Sequence, residues 1–130
     1  MYIRKTIKLI PNNTFSNRLL SGKLKMQINN VFSNIPENIN QEIIEVLLQS
    51  KNIKIEKIIS KGQCSPATGW YDQAQNEWVI VLKGEAKLVF EKGEDVDLVA
   101  GSYINIQAHK KHRVSWTHPD IETVWLAVFY

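Results

Sequence analysis

The side chains able to do chemistry in this chain of 130 residues are few and unevenly placed. Three histidines, His109, His112 and His118, lie in its last quarter, and a single cysteine, Cys64, stands apart. Glu77 opens an apolar run shortly after Trp70-Tyr71-Asp72-Gln73. Carboxylate, imidazole and amide groups held together can bind a divalent cation or pass a proton between them. Other chemistries fit less well. Cys64 is followed by Ser65-Pro66 and has no basic neighbour to activate it, so it is expected to be inert. Gly62, Gly69, Gly84, Gly93 and Gly101 are scattered at turns and do not form a phosphate-cradling loop. Hydrolysis by paired carboxylates requires a second acid beside Glu77, for which Asp72 is the nearby candidate. Glu91, Glu94, Asp95 and Asp97 read as a solvated hairpin, and His118, beside Pro119-Asp120, as a surface residue.

Charge narrows the partners. The formal net charge is +3, but residues 1–25 carry Arg4, Lys5, Lys8, Arg18, Lys23 and Lys25 with no acid. The body from residue 26 onward therefore has a small acidic excess, with no basic recognition helix or aromatic-plus-basic platform, so nucleic acid is not an expected partner. No apolar run approaches the roughly 18 residues of a membrane helix. With 44% apolar residues the chain can build a real core, and its length suits a single domain. A lone cysteine and the lack of a basic-then-apolar leader point to a reduced, cytoplasmic protein. Residues 1–25 read as a basic N-terminal extension, of which Tyr2–Ile10 could add an edge strand. Met26 offers an alternative translation start, and a transit peptide is a further reading.

The elements that must position these groups change character near residue 50. Within a helical segment expected over residues 26–51, Ile43, Ile44, Leu47 and Leu48 fall on one face at helical spacing after Pro36-Glu37-Asn38-Ile39-Asn40. This predicts a short amphipathic helix packed on the body of the fold or on a second subunit. From residue 53 the pattern is β throughout. Strands are expected at 53–56, 78–82, 86–90, 96–99, 103–106, 113–116 and 123–130, with turn signals every eight to twelve residues. Such spacing means an all-β sandwich or barrel.

Glu77 and Gly84, with six residues between them and the stretch closed by Val81-Leu82-Lys83-Gly84-Glu85, resemble the second half of the first cupin motif, Gly-x5-His-x-His-x3-4-Glu-x6-Gly. The stretch from Gly101 through Gln107 and His109 to His112 resembles the second motif, Gly-x5-Pro-x-Gly-x2-His-x3-Asn, with Gly101 and His112 in place. The resemblance covers residues 52–130 and implies a double-stranded β-helix, a jelly-roll barrel with a site in its mouth. It is incomplete at the ligands. Trp70 and Asp72, or Tyr71 and Gln73, stand where the motif has its His-x-His pair. Gln107 replaces Pro, His109 replaces Gly, and Trp116 replaces Asn.

Carried over position by position, the resemblance implies a mixed oxygen and nitrogen site for one divalent ion of the manganese, iron or zinc kind. Its candidates are Glu77, His112, Asp72, Gln73 and His109. Each has a plainer alternative: an exposed strand-start acid, a core histidine satisfied by backbone, or loop residues that bond their own turn. Trp70, Tyr71, Val79, Val114 and Trp116 are expected to wall the pocket, because Val79 shares a strand face with Glu77, as Val114 and Trp116 do with His112. The functional expectation is a cupin binding a divalent metal, a small oxygen-bearing metabolite, or both. The alternative is a metal-free small-molecule binding or regulatory module. Exposed sheet edges lead to the further expectation of a homodimer.

Overall fold

A computed structural model describes residues 26–130 together with the backbone of Ile7–Leu9. These residues form nine strands and, among the described residues, no helix: β1 (Ile7–Leu9), β2 (Ile43–Gln49), β3 (Lys54–Ser60), β4 (Glu77–Lys83), β5 (Glu85–Phe90), β6 (Asp95–Val99), β7 (Tyr103–Ile106), β8 (His112–Thr117) and β9 (Thr123–Phe129). One sheet has six strands in the order β1-β2-β3-β9-β4-β7, and the other has three, β6-β5-β8. All the strands expected after residue 50 are present. The described part of the N-terminal extension, β1, pairs in parallel with β2 and adds an edge strand to the large sheet. The alternative start at Met26 and the transit-peptide reading concern residues whose placement is otherwise outside those described.

The core lies between the two sheets and follows from period-2 alternation. On β4, Glu77, Val79 and Val81 are buried, whereas Trp78, Ile80 and Leu82 are only partly so. Val79 and Val81 meet Trp125, Ala127 and Phe129 of β9 in the same sheet, and Ala86, Leu88, Phe90, Leu98 and Val114 from the small sheet. Each fully buried Val, Leu or Phe among them contributes about 1.5–3 kcal/mol of transfer free energy. Gly84, at φ +85, turns the chain from β4 into β5. A Cβ there would lie 2.6 Å from the Glu122 carbonyl oxygen, so this corner requires glycine.

The amphipathic helix expected at residues 41–49 is a strand instead. β2 runs antiparallel to β3, with a register shift between Val46 and Leu48. The apolar spacing misled because both faces of this strand are covered at its start. Ile44 faces the main core with Ile58, while Ile43 faces a second cluster with Ile39 and Ile59, and Ile35 packs against it. Adjacent buried isoleucines therefore imitate half a helical stripe. The β-branched Ile43, Ile44 and Val46 favour the extended backbone. The same outer layer buries Lys57, whose Nζ pairs with Glu45 at 2.6 Å.

Candidate functional site

Glu77 and His112 each begin a strand, and the two strands bring them together inside the barrel mouth. Glu77 is fixed on β4 between Phe129 and Ile106. His112 is fixed on β8 opposite Phe90 and, on its other side, by a bridge to Tyr71. In that bridge the Tyr71 N–H donates to the His112 carbonyl at 2.8 Å. Both side chains are buried, with 6% and 3% exposure. His112 Nε2 lies 3.3 Å from Glu77 Oε2. On the other side of the ring, Nδ1 is 2.8 Å from the Lys110 carbonyl. A carbonyl only accepts, so Nδ1 carries a hydrogen, and Nε2 is left to address Glu77 and the cavity. Charge-assisted N–H···O bonds run to about 2.7–2.9 Å. At 3.3 Å the two atoms are in ion-pair contact but looser than such a bond, and both are within reach of a third polar atom in the cavity.

The cavity beside this pair has a volume of about 20 Å³. Glu77, His112, Tyr71, Glu42 and Trp125 supply its polar groups, and Ile58, Val79, Leu88, Ile106 and Val114 its apolar wall. That volume holds a water molecule or the tip of a small organic molecule. Gln73 does not line the cavity but holds its acid, donating from Nε2 to Glu77 Oε2 at 2.8 Å. The Tyr71 hydroxyl accepts from Ser65 Oγ at 3.3 Å, and the His112 ring packs between those of Tyr71 and Phe90.

The other expected site residues are placed differently. Asp72 and His109 pair with each other on the surface, Oδ1 to Nδ1 at 2.9 Å, and neither lines the cavity. His109 has φ +61 and is the third residue of a turn closed by the Lys110 N–H and the Gln107 carbonyl. This conformation suits glycine, the residue that the motif resemblance puts there. His109 occupies a strained backbone position, and its bond to Asp72 and its N–H bond to the Gln73 carbonyl hold the turn. Tyr71, Val79 and Val114 do wall the cavity. Trp70 instead lies under the Arg113 guanidinium, 4.6 Å from ring centre to Cζ. Trp116 is also displaced: Leu88 pairs with Val114 but Lys87 pairs with Trp116, so a bulge at Ser115 reverses the alternation. Thr117 takes the buried position, and Trp116 turns outward against His118. Five lining residues lie outside the set expected from sequence: the apolar Ile58, Leu88 and Ile106, and two that carry polar groups, Glu42 and Trp125. Glu42 lay in the supposed helix, and Trp125 looked like one more apolar member of a strand.

A family model for the cupin domain matches residues 58–129. The chain belongs to the cupin family. The fold is therefore a jelly-roll β barrel. A solved structure similar to this cupin comes from Ralstonia eutropha JMP134 and bears the name "putative mannose-6-phosphate isomerase". It is 41% identical, covers 80% of this chain and 97% of its own, and has a TM-score of 0.77. A cupin superfamily protein from Desulfitobacterium hafniense DCB-2 is 22% identical over 73% of this chain and 82% of its own, at TM-score 0.61. An RmlC-like cupin with a double-stranded β-helix fold from Methanocaldococcus jannaschii is 16% identical over 73% and 84%, at TM-score 0.58. These last two show the fold alone. No curated protein matches the chain.

Cupin membership implies a metal, so the donor set is the test of fit. Among the described residues, no three His, Cys, Asp or Glu side chains converge. Glu77 and His112 are two donors, and the amide group that Gln73 turns toward Glu77 is an N–H donor, not a ligand oxygen. Metal centres draw three or four protein ligands. The described residues do not complete the five-residue set expected from sequence, since Asp72 and His109 are spent on each other.

Proposed function

We propose that this cupin binds a small oxygen-bearing molecule in the barrel mouth, with one of its atoms held between Glu77 Oε2 and His112 Nε2. The observation that carries this reading is the 3.3 Å spacing of those two buried atoms at the edge of a cavity. Both can reach one hydroxyl group, which donates its hydrogen to one of them, whereas a carbonyl oxygen, itself only an acceptor, finds no donor at this pair; a carboxylate beside an imidazole can also hold a proton on either side of it. The Ralstonia protein's name suggests sugar isomerisation, which also moves protons between neighbouring carbons and oxygens. A phosphosugar is poorly matched to this cavity, however. Its described lining contains no Lys or Arg to meet a phosphate, and about 20 Å³ is far below the volume of a hexose. Lys92, Lys110 and Lys111 line a separate surface depression, together with Glu91 and Glu94. The ligand is therefore small, or enters the cavity by one oxygen-bearing end.

Titration with hydroxyacetone, followed at the His112 ring nitrogens by NMR, tests the reading. Saturable shifts at Nε2 are expected, and the accompanying shifts at the backbone amides of Glu77 and Val79 should be lost in His112→Gln. Shifts confined to surface residues would contradict it.

A second reading rests on the same spacing. Two donors each about 2.1 Å from a tetrahedral ion stand about 3.4 Å apart, so Glu77 and His112 could hold a divalent ion weakly, with solvent completing its shell. Zinc or manganese added to the purified chain should then bind substoichiometrically. His112→Ala should abolish that binding and His118→Ala should preserve it. No uptake in excess metal leaves the metal-free reading. We propose further that the protein is a homodimer formed through the β2–β3 end of the large sheet, where Leu47, Leu48 and Ile53 are exposed.

A further inference from the structure

Among the described residues, buried side-chain polar atoms are satisfied with one exception. Thr117 Oγ1 donates to the Gln63 carbonyl, Thr123 Oγ1 to the Glu85 carbonyl, and Ser60 Oγ to Glu42. Trp125 Nε1 is buried with no hydrogen-bond partner among the described residues. Native structures rarely leave such a donor alone, since it then bears the full cost of losing water. Trp125 is only 4% exposed, and it is one of the side chains lining the cavity of Glu77 and His112. Its strand neighbours, Ile58 on β3 and Val81 on β4, have no side-chain acceptor to offer.

We infer that Trp125 is a specificity-determining residue of this cavity, its indole N–H donating a hydrogen bond to an oxygen acceptor on the bound molecule. This rests on the proposed binding function. The indole nitrogen is a donor only, so it rewards a carbonyl, ether or hydroxyl oxygen and gives nothing to a methyl or ammonium group of similar size. The narrow cavity limits that acceptor to a single small atom rather than a phosphate. Trp125 and the Glu77–His112 pair thus define two points of polar recognition on the lining of one cavity. The ligand class is a small carbonyl or hydroxyl compound with two oxygen functions, one for each point.

The test uses the intact chain labelled with ¹⁵N, with the Trp125 indole signal assigned from its contacts to Ile58 and Val81 methyl groups. Hydroxyacetone is the oxygen-bearing probe and xenon the apolar one. Hydroxyacetone should move the Trp125 indole proton downfield in step with the His112 ring signals, whereas xenon should leave it in place. In Trp125→Phe, hydroxyacetone should bind about tenfold more weakly, the loss expected for one neutral hydrogen bond. A His112 response without a Trp125 response overturns this inference and leaves the proposed function standing. No response at either residue overturns both. A long-lived water on the indole N–H that hydroxyacetone does not displace also overturns it, and that measurement needs no variant.

Discussion

Glu77→Gln separates the chemistry of the cavity from the stability of the barrel. In the parent, Glu77 Oε2 accepts from Gln73 Nε2 at 2.8 Å. A bond to a charged acceptor is worth about 1.5–3 kcal/mol and a neutral one about 0.5–1.5, so the amide forfeits roughly 1 kcal/mol. Replacing a buried carboxylate by a neutral group of the same shape returns part of that through lower desolvation. The net change should stay within about 1 kcal/mol, near 4 °C in melting temperature for a domain of this size. Glu77→Ala differs, because it leaves the Gln73 amide without its acceptor and enlarges the cavity, costing about 2–4 kcal/mol. Urea denaturation of the three proteins measures both values, provided the slopes agree. Hydroxyacetone binding should weaken about tenfold in the Gln variant, since the oxygen that shared the ligand with His112 can no longer accept in the same way. If Glu77→Gln costs as much stability as Glu77→Ala, the carboxylate is a structural ion and the reasoning fails.

Val81 is fully buried and does not line the cavity. Val81→Ala should therefore cost roughly 1–3 kcal/mol in urea denaturation and leave hydroxyacetone binding unchanged. His109→Gly relieves the backbone at φ +61 but loses the bond to Asp72. It should leave stability within about 1 kcal/mol and binding intact, whereas a ligand role for His109 would show as lost binding. Light scattering should return a dimer mass that persists on dilution, and a monomer mass at all concentrations would rule out the proposed assembly.

The barrel was legible because its strands alternate cleanly: β4 and β9 each carry a buried series whose period survives from sequence to structure. Glu77 and His112 were legible as motif positions, and the cupin spacing brings them together. What sequence could not reveal came from two departures from strict period. The bulge at Ser115 exchanges Trp116 for Thr117 in the interior, and nothing local marks it, because either residue is compatible with a strand. At β2, burial on both faces removed the alternation altogether and made a strand look helical, which hid Glu42 from consideration. The Asp72–His109 pair was hidden for a different reason. It joins residues 37 apart through a turn whose left-handed residue is not glycine.

In a crystal of the protein soaked in hydroxyacetone, a hydroxyl oxygen of the probe should lie within about 2.6–3.2 Å of both Glu77 Oε2 and His112 Nε2, with Asp72 and His109 still paired outside the cavity. A saturated crystal in which Glu77 and His112 bond only to each other and to solvent, with the probe bound elsewhere or absent, would contradict the proposed function.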